Sequence, residues 1–406
     1  MSALRKILHR GWQCLPQAQR RALLFAVTRQ LAPRPMLSAP TGYPEPIIVA
    51  GFLTSATGLG EWARLALQAF KAAGYDARGI DLGAAMMQGS DLPRGDWRDS
   101  HDHIGTGTLM LHVNAPYVPL AMRLLGKQLV AEKKIVGCWA WELPELPPDW
   151  LHGLPFVHEV WGLSRMTNDA VRRHTRLPIK LAPPPVVRGP ATPPGERLWQ
   201  KPSNCTAILT MFNMASGFTR KNPLGAIAAF QQAFANDPQT ILVIKTINPE
   251  SYPEGIAQLR AIAAQAANIV LIDQTYAPEQ VEGLIETCNI VLSLHRAEGS
   301  YGLNYACALG MTRGKPVVVT AWDSGMPFKT TKNCCPVPFV MVPAHDPQKT
   351  YDDPNQTWAE PDINAAASYL KRLRSDPRFA EDLGKQAKAD ISAKLGLTSY
   401  AALLQN

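Results

Sequence analysis

The sequence predicts an α/β protein of two doubly wound parallel sheets that face each other across a cleft. From residue 46 onward, short apolar segments alternate with helical stretches. The apolar segments are continuous, which is typical of strands buried on both faces. A proline-rich segment at residues 182–202 interrupts this alternation, which resumes after it. We therefore predict two domains joined by a stiff connection.

The first domain is predicted from apolar runs that are separated by helical patterns. A helix is expected over the segment EWARLALQAFKAAG, at residues 61–74. The predicted strands lie at residues 46–53, 108–114, 133–142 and 158–164. In an open sheet of this kind, ligands bind beyond the carboxyl ends of the strands.

The second domain repeats the same rhythm. Its predicted strands lie at residues 205–213, 240–247, 268–273, 289–295 and 316–321. The predicted divisions are a basic arm at 1–45, a first domain at 46–185, a linker at 186–202, a second domain at 203–375, and C-terminal helices at 376–406 that pack back on the first domain. Two facing sheets place the expected site in the cleft between them.

The composition indicates a globular protein that is not disordered, because 46% of the residues are apolar and only 18% are charged. No run of 18 apolar residues occurs, so no membrane span is expected. The apolar run at 22–27 is too short for the core of a signal peptide, so a cytoplasmic location is expected. The seven cysteines are scattered and follow no zinc or disulfide spacing, so buried reduced thiols are predicted.

The net charge of +8 is concentrated in the N-terminal arm. This arm holds no acidic residue before Glu45, and its basic residues are Arg5, Lys6, Arg10, Arg20, Arg21, Arg29 and Arg34. Apolar residues recur at helical spacing, at Leu4, Ile7, Leu8 and Trp12 and again at Leu23, Leu24, Val27 and Leu31. This pattern suits an anionic membrane surface through residues 1–40, and equally a helix packed on the body. The remainder lacks a basic and aromatic surface for nucleic acid.

A polar tip follows the predicted strand at 289–295. His295, Arg296 and Glu298 lie at its carboxyl end, and Gly299 and Gly302 permit a tight turn. A helix predicted to begin near Leu303 directs free N–H groups toward the cleft, where a diphosphate is favoured. A carboxylate repels phosphate, so Glu298 is better explained as an acceptor of hydrogen bonds from sugar hydroxyls.

Several segments together resemble the family 4 (group 1) retaining bacterial glycosyltransferases of the GT-B fold. The segment HRAEGSYGL followed by GKPVVVT resembles the family signature HRxEGFGL and GKPVI. The segments GCWAWELPELPPDW, RKNPLGAIAAFQQAF and WAEPDINAAASYL resemble patterns of one bacterial subgroup. The matches span residues 46–375, and their combination is specific where each one alone is weak.

The resemblance implies a nucleotide-sugar donor on the second domain and an acceptor on the first. Glu298 would bind hydroxyls of the transferred sugar, and Arg220 and Lys221 would neutralise the donor diphosphate, whose charge grows as it leaves. The implied donor-binding residues are Gly299, Ser300, Tyr301, Gly302, Leu303, His295, Gly58 and Gly60. No cofactor and no metal are expected, since no D-x-D motif occurs and the donor is itself a substrate.

Three departures from the family pattern concern the donor site. The second glutamate of the E-x7-E pattern is replaced by Ala306, so the ribose contact is in doubt. The loop EGSYGL is one residue longer than EGFGL. Where relatives carry an arginine five residues before the lysine, this chain has Ser216, and Arg220 is expected to take its place.

The candidates on the acceptor side are Trp139, Trp141, Glu142 and His112, near the ends of first-domain strands. Aromatic faces suit sugar rings, and a carboxylate can orient or deprotonate an acceptor hydroxyl. Packing in the core is the alternative for each of them. The segment SHDH at 100–103 resembles metal ligands but lies in a polar loop.

The sequence thus predicts a retaining hexosyltransferase of envelope polysaccharide, lipopolysaccharide or exopolysaccharide synthesis. GDP-mannose is the expected donor by family habit, with a UDP-sugar nearly equal, and the saccharide acceptor is expected to be polyprenyl-linked. One alternative is a non-catalytic sugar- or partner-binding relative. Another is an NAD-dependent oxidoreductase, because residues 58–63 fit G-x-G-x-x-A with Asp81 downstream. The glycines follow the strand too late for that fingerprint.

Overall fold

The computed structural model describes residues 17–88, 92–95, 103–192, 201–299, 302–322, 324–325 and 328–405. Within these residues the chain forms two six-stranded sheets and one two-stranded sheet. Predictions that fall outside the described residues concern the start of the basic arm, residues 100–102, much of the linker, Ser300 and Tyr301.

The first sheet is parallel throughout and has the order β2-β1-β3-β4-β5-β6. Its strands are β1 (Ile47–Gly51), β2 (Ala77–Asp81), β3 (Gly107–His112), β4 (Lys133–Trp139), β5 (Glu159–Gly162) and β6 (Ile179–Leu181). The chain winds to opposite sides of β1, because β1 lies between β2 and β3. The crevice at such a switch point is where doubly wound sheets bind ligands.

The second sheet has the order β12-β11-β10-β7-β8-β9 and is also parallel. Its strands are β7 (Thr206–Asn213), β8 (Thr240–Ile247), β9 (Ile269–Ile272), β10 (Ile290–Ser293), β11 (Val317–Thr320) and β12 (Cys335–Val337). Its switch point lies between β7 and β10. An antiparallel hairpin of β13 (Phe339–Pro343) and β14 (Thr357–Pro361) follows.

Helices cover both sheets and confirm the predicted doubly wound class. They are α1 (Gln17–Leu31), α2 (Gly58–Ala72), α3 (Val118–Leu125), α4 (Lys127–Val130), α5 (Arg165–Arg172), α6 (Phe218–Lys221), α7 (Pro223–Phe234), α8 (Pro253–Gln265), α9 (Pro278–Thr287), α10 (Tyr305–Thr312), α11 (Ile363–Ser375), α12 (Pro377–Lys394) and α13 (Leu397–Ala401). Short 3-10 turns lie at Ala84–Met86, Ala115–Tyr117, Pro148–His152, Leu154–Phe156, Met214–Ser216, Pro249–Ser251 and Ala402–Leu404.

Sequence analysis missed several strands, which are short, partly polar or at a sheet edge. β2 has the sequence ARGID and β6 has the sequence IKL, and neither is a continuous apolar run. An edge strand packs on one neighbour only, so it tolerates charged side chains that a central strand excludes. The apolar pattern therefore marked the central strands and not these edges.

α1 packs on the first domain by a face that the sequence analysis did not predict. The buried residues of this helix are Phe25 and Thr28, and the ring of Phe25 meets that of Tyr117 edge-on at 5.3 Å. The predicted apolar face is instead largely at the surface, with Leu23, Val27 and Leu31 exposed by 46%, 44% and 55%. α1 thus packs on the body, as one of the two alternatives expects, but through Phe25 and not through the apolar residues at helical spacing.

The C-terminal helices are shared between the two domains. α12 packs against the second sheet through Ala387 and Ile391. The last segment returns to the first domain, where Trp62 Nε1 donates a hydrogen bond of 2.9 Å to Tyr400 Oη. Lys180 Nζ likewise donates to the carbonyl of Leu403 at 2.8 Å. These contacts hold the chain end against the first domain.

No helix of the described residues is long and apolar enough to cross a membrane.

Candidate active site between the two sheets

A cavity of about 1350 Å³ lies between the two sheets, and both domains contribute to its wall. The first domain contributes Gly58, Trp141 and Glu142, and the second contributes Lys221, Glu298 and Gly299. Lys221 follows β7 and Glu298 follows β10. Because β7 and β10 flank the switch point of the second sheet, parallel strand order alone brings these two residues together.

The carboxylate of Glu298 lies at the centre of the polar cluster in this cavity. Lys221 Nζ donates to Glu298 Oε1, and His295 Nδ1 donates to the same oxygen at 2.6 Å. Arg220 Nη1 lies 3.6 Å from that oxygen. Burial opposes the charge of Glu298, but Lys221, His295 and Arg220 outweigh it and hold the pKa of that carboxyl well below its usual range. Glu298 is therefore ionised.

Burial, together with the charge of Lys221, lowers the pKa of His295 to about 4. The imidazole is then neutral near pH 7, and its Nδ1 carries the hydrogen that Glu298 accepts. His295 supports Glu298 from behind and does not belong to the cavity wall. Burial also lowers the pKa of the Lys221 ammonium, helped by the neighbouring charge of Arg220. The donors to Glu298 are thus one ammonium and one neutral imidazole.

Arg220 is more deeply buried than its predicted role requires. Its side chain is 2% exposed, and its donors are occupied by the carbonyls of Ser216, at 2.8 and 3.1 Å, and Ala297, at 2.8 Å. Burial disfavours its charge, but Tyr351 and the two nearby glutamates raise the pKa of the guanidinium. Arg220 is therefore a fixed positive charge in the cavity wall, with three hydrogen bonds already made to carbonyls.

The opposite wall combines Glu142 with two stacked aromatic rings. Tyr351 Oη donates to Glu142 Oε2 at 3.0 Å, and Arg220 Nη2 lies 3.9 Å from Glu142 Oε1. The Trp141 ring stacks on the Tyr351 ring at a centroid distance of 5.3 Å. Tyr351 escaped the sequence analysis, although a lone aromatic residue in the polar loop between β13 and β14 is a recognisable signal. Glu142 and Trp141 lie where the sequence analysis expected them.

Two predicted acceptor-side residues lie in the core. His112 and Trp139 are both fully buried and do not line the cavity. His112 packs edge-on against Trp62 at 5.0 Å, and Trp139 packs against Trp150 at 6.2 Å. Each is the last residue of its strand, yet its side chain is buried in the first-domain core. The alternative of core packing holds for these two residues.

Burial of His112 makes the stability of the protein depend on pH. Burial lowers the pKa of His112 to about 3 from the usual 6.5, so between these values the unfolded chain binds a proton that the folded chain does not. Stability is then lost as pH falls below 6.5. The unfolding free energy of the protein should fall as the pH is lowered from 6.5 to 4.5. We expect this decrease to be smaller by about 2 kcal/mol in His112→Phe.

Urea unfolding at several pH values measures this effect. The reference is the unaltered protein, unfolded at the same pH values. Parallel pH profiles for the unaltered protein and His112→Phe would contradict the prediction.

The glycines near the site differ in what they do. Gly58 lines the cavity with open space beside it, whereas a Cβ on Gly60 would lie 2.4 Å from the carbonyl of Phe52. A Cβ on Gly299 would lie 2.1 Å from Leu163 across the cleft. Gly302 has a φ of +62° and is packed on the carbonyl of Trp322, so neither Gly60 nor Gly302 offers a surface to the cavity.

The helix after this loop begins two residues later than predicted. α10 begins at Tyr305, and Asn304 caps it by accepting a hydrogen bond of 2.6 Å from Cys307 N. Leu303 lies before the helix and lines the cavity. The N-terminus of α10 still points at the cavity, because Asn304 and Tyr305 both line it.

Asn222 holds Lys221 in place through a left-handed backbone and two hydrogen bonds. Its φ is 48°, its Oδ1 accepts from Gly225 N at 3.1 Å, and its Nδ2 donates to the carbonyl of Leu294 at 2.9 Å. We expect Asn222→Ala to lower the unfolding free energy by about 3 kcal/mol, through the lost cap and the cost of a left-handed alanine. Denaturant unfolding measures this change.

The matched control is Asn222→Gly, which removes the same side chain but tolerates a positive φ. It should be more stable than Asn222→Ala by about 1 kcal/mol. Equal stability of the two variants would show that backbone strain has no part in the effect.

At the position of the missing second glutamate, Ala306 lines the cavity. Its neighbour Tyr305 donates a hydrogen bond of 2.7 Å to Glu61 Oε1 of α2, which joins the two domains. Glu61 is also paired with Arg64 at 2.6 Å. The sequence analysis missed this bridge, because Glu61 and Tyr305 are distant in the chain.

The geometry argues against the dinucleotide alternative. β1 ends at Gly51, and α2 begins only at Gly58. Asp81 does not face a ribose site, because its carboxylate accepts from Thr54 Oγ1 at 2.7 Å and from Gly83 N at 3.2 Å. These bonds join the loop after β1 to the end of β2 and close the turn after β2.

Within the described part of the chain, no group of three or more His, Cys, Asp and Glu side chains is arranged to hold a metal ion. The cysteines of that part, Cys138, Cys205, Cys288, Cys307, Cys334 and Cys335, are buried free thiols.

The sequence matches no protein-family model and no curated protein, whereas its structure resembles solved glycosyltransferase structures. HepE of Anabaena in complex with UDP and glucose has a TM-score of 0.59 at 11% identity, covering 89% of this chain and 98% of that one. Sucrose-phosphate synthase of Thermosynechococcus elongatus has a TM-score of 0.57 at 14% identity, covering 89% and 98%. A glycosyltransferase of Rickettsia africae has a TM-score of 0.56 at 13% identity, covering 90% and 97%.

TarM is similar over a part of its length only, with a TM-score of 0.50 at 15% identity, covering 74% of this chain and 54% of that one. This chain thus spans about half the length of TarM. At such identities the likeness shows the fold alone. The fold is the GT-B arrangement of two doubly wound domains, as the resemblance implied.

Proposed function

We propose that this GT-B chain is a glycosyltransferase that moves a hexose from a nucleoside diphosphate sugar to a saccharide acceptor. The observation that carries the proposal is the cluster of Lys221, Arg220 and Glu298 at the switch point of the second sheet, where Glu142 of the first domain lies 3.9 Å from Arg220. Fixed cations beside an ionised carboxylate suit a ligand that carries a diphosphate and a hydroxyl-rich ring.

The donor is proposed to lie along the carboxyl edge of the second sheet. Its diphosphate would bind the Lys221 ammonium and the N-terminal end of α10, which carries a partial positive charge. Its sugar hydroxyls would donate to Glu298, which is ionised and therefore an acceptor only. Lys221 Nζ donates to Glu298 Oε1, so the two groups that would contact the diphosphate and the sugar lie side by side.

Departure of the nucleoside diphosphate builds charge on its terminal phosphate, and Lys221 with the buried Arg220 stabilises that charge. Because Arg220 is fixed by carbonyls, its charge needs no reorganisation during the reaction. We propose a retaining, metal-independent reaction in which the acceptor attacks from the face that the phosphate leaves. The leaving phosphate then takes the proton of the acceptor hydroxyl.

The acceptor is proposed to enter from the first domain. Trp141 and Tyr351 stack on each other in the cavity wall, and the Tyr351 hydroxyl fixes the carboxylate of Glu142 there. Glu142 would orient the attacking hydroxyl, in competition with its present partner Tyr351. The order of sites is then donor phosphate at Lys221, transferred hexose at Glu298 and acceptor at Glu142.

Mannose is the proposed hexose because the family that the sequence resembles favours it. For the nucleotide, the similar structures of HepE hold UDP, UDP-glucose or UDP with glucose, so a UDP-sugar is an equal candidate. The deciding experiment is donor hydrolysis by the purified protein with GDP-mannose, UDP-glucose and UDP-N-acetylglucosamine, with and without EDTA. Release of nucleoside diphosphate from one donor, undiminished by EDTA, is the expected result. If no nucleoside diphosphate is released from any of the donors, with or without acceptor, the proposal that this protein catalyses sugar transfer is contradicted.

A non-catalytic, sugar-binding relative is the second candidate, and Ala306 favours it. A carboxylate is missing where the family holds the nucleotide ribose, and the nearest bridge, Tyr305 with Glu61, is occupied within the protein. Donor binding without turnover in the same assay would support this candidate.

We further propose that α1 rests on an anionic membrane surface, where a polyprenyl-linked acceptor of envelope or exopolysaccharide synthesis would be met. Its exposed residues Leu23, Val27 and Leu31 recur one turn apart, and Arg20, Arg21 and Arg29 lie on the same helix. The same helix lines the cavity through Arg21, Ala22 and Phe25. A helix with an apolar stripe and flanking arginines suits the interface of anionic lipid.

The triple variant Leu23→Ser, Val27→Ser, Leu31→Ser is expected to weaken vesicle binding by about 30-fold, because three half-exposed apolar side chains no longer enter the interface. Co-sedimentation with phosphatidylglycerol vesicles measures this, with phosphatidylcholine vesicles for comparison. The control is Val340→Ser with Met341→Ser, which removes exposed apolar residues from the hairpin. Equal pelleting of the triple variant and the unaltered protein would refute the membrane role.

A further inference from the structure

The loop between β13 and β14, residues 344–356, forms an arm that extends from the second domain to the first. Its residues Ala344 and Tyr351 are buried in the hydrophobic core of the first domain. The hairpin itself follows β12, the edge strand of the second sheet. Apart from Tyr351, the arm has no part in the donor and acceptor contacts proposed above, yet it contacts both walls of the cavity.

A buried aspartate holds the arm in one shape. Asp346 is fully buried, and its Oδ1 accepts a hydrogen bond from Gln348 N at 3.1 Å. Its Oδ2 accepts from the backbone N–H groups of Thr350 and Tyr351, at 3.0 and 3.1 Å. A buried carboxylate is costly unless it is hydrogen bonded, so these three backbone donors stabilise the turn that ends at Tyr351.

On the side of the second domain, the arm is attached to the turn that carries the cations. Gln348 Nε2 donates to the carbonyl of Met214 at 3.0 Å, and Gln348 Oε1 accepts from Phe218 N at 2.6 Å. Phe218 is the first residue of α6, and Arg220 and Lys221 are its last two. Gln348 therefore fixes the start of the short helix that supplies the positive charges of the cavity.

On the side of the first domain, the arm holds the turn after β4, which carries Glu142. Gln356 is 2% exposed, its Nε2 donates to the carbonyl of Glu145 at 2.5 Å, and its Oε1 accepts from Glu145 N at 3.3 Å. The same carbonyl accepts from Trp141 Nε1 at 2.8 Å. Tyr351 Oη donates to Glu142 Oε2 at 3.0 Å, so the arm binds both the backbone and the carboxylate of this turn.

Tyr351 lies between the two halves of the polar cluster. Its ring stacks on Trp141 of the first domain, and Arg220 Cζ of the second domain lies 4.9 Å from the ring centre. Because Tyr351 binds Glu142 Oε2, Oε1 is the oxygen that remains for an attacking hydroxyl, and it lies 3.9 Å from Arg220. The arm thus determines where the first-domain carboxylate lies relative to the second-domain cations.

We propose that the arm is a positioning element that holds Glu142 of the first domain in place beside Arg220 of the second. Its positioning residues are Asp346, Tyr351 and Gln356, which act through Glu142. This inference rests on the proposed function, in which Glu142 orients the attacking hydroxyl. Water is the attacking group in donor hydrolysis, so the same carboxylate acts in that reaction.

The kinetic test is a double-mutant cycle in hydrolysis of the donor that the unaltered protein turns over. Tyr351→Phe keeps the stacked ring and loses the hydroxyl, so kcat should fall by about 10-fold. The KM for the donor should change by less than about 2-fold, because the donor is bound by the second domain. In the Glu142→Ala background, Tyr351→Phe should alter kcat by less than about 2-fold, since the group that it positions is absent.

Asp346→Asn should also lower kcat by about 10-fold, and again only while Glu142 is present, because the turn that ends at Tyr351 loses part of its hydrogen bonding. The matched control is Asp352→Asn. Asp352 lies at the surface of the same arm, where it pairs with Lys349, and its replacement should leave kcat unchanged.

A second measurement follows the arm without turnover. Gln356→Ala removes both hydrogen bonds to the backbone of Glu145. Hydrogen–deuterium exchange of the peptide that spans residues 141–145 should then become at least about 10-fold faster at the amide of Glu145. Asp352→Asn should leave this exchange unchanged.

A change in kcat below 2-fold in both Tyr351→Phe and Asp346→Asn overturns the inference and leaves the proposed function standing. An equal loss of kcat with and without Glu142, or unchanged exchange in Gln356→Ala, does the same. If the unaltered protein hydrolyses no donor, the proposed function and the kinetic part of this inference are both contradicted. The exchange measurement still decides in that case whether the arm holds residues 141–145.

Discussion

Replacing Glu298 with Gln is expected to lower turnover of the donor by about 100- to 1000-fold. The amide keeps the shape of the side chain but removes the charge that Lys221 and His295 now stabilise. It also turns one of two acceptor oxygens into a donor, so sugar hydroxyls lose part of their anchor as the ring changes shape in the transition state. Loss of one preorganised polar group of this kind costs about 3–4 kcal/mol of the barrier.

Steady-state kinetics on the hydrolysed donor measures this effect, with kcat and KM separated. Because the group acts on the reacting ring, most of the loss should fall on kcat. The matched control is Glu360→Gln. Glu360 lies on the hairpin, pairs with Arg296 and is not part of the cavity wall. If Glu298→Gln turns over the donor at more than one tenth of the unaltered rate, Glu298 does not bind the transferred sugar as proposed.

Replacing Arg220 with Met is expected to lower the unfolding free energy by about 3–5 kcal/mol, because a buried charge is removed and its partners remain. Glu142 and the carbonyls of Ser216 and Ala297 would then lose ionic or hydrogen-bonding partners in a buried site. Glu298 would keep Lys221 and His295. Equilibrium denaturation at pH 7 measures the loss.

Two further variants separate charge from shape. Arg220→Lys keeps the positive charge but loses the planar fork, so its stability should lie between those of the unaltered protein and Arg220→Met. Adding Glu142→Gln to Arg220→Met should recover part of the loss, because the unpaired carboxylate is gone. A loss below 1 kcal/mol in Arg220→Met would show that the guanidinium is not the charge that holds this cluster together.

The polar tip after β10 could be predicted from sequence. The ionic and hydrogen-bonding partners of its residues could not. The apolar run that ends at His295, and the glycines that follow, are local features of neighbouring residues. The pairing of Glu298 with Lys221 depends on the order of β7 and β10 in the sheet, and that pairing joins residues 77 positions apart. The sequence analysis expected Arg220 to neutralise the diphosphate, and the structure shows it in the cavity wall with hydrogen bonds to the carbonyls of Ser216 and Ala297.

The errors of the sequence analysis have a common cause in packing. His112 and Trp139 were candidates because they lie near strand ends, yet their side chains point into the core. Tyr351 was missed because its loop reaches the cavity only through the fold of the hairpin.

The sequence alone determined the doubly wound class, the central strands and the position of the carboxylate after β10. Each of these follows from periodicity and from the chemistry of adjacent residues. Only the tertiary structure decided which face of α1 is buried and which charges share one buried cluster. Such contacts join distant segments, and their strength depends on exclusion of water, which no local pattern records.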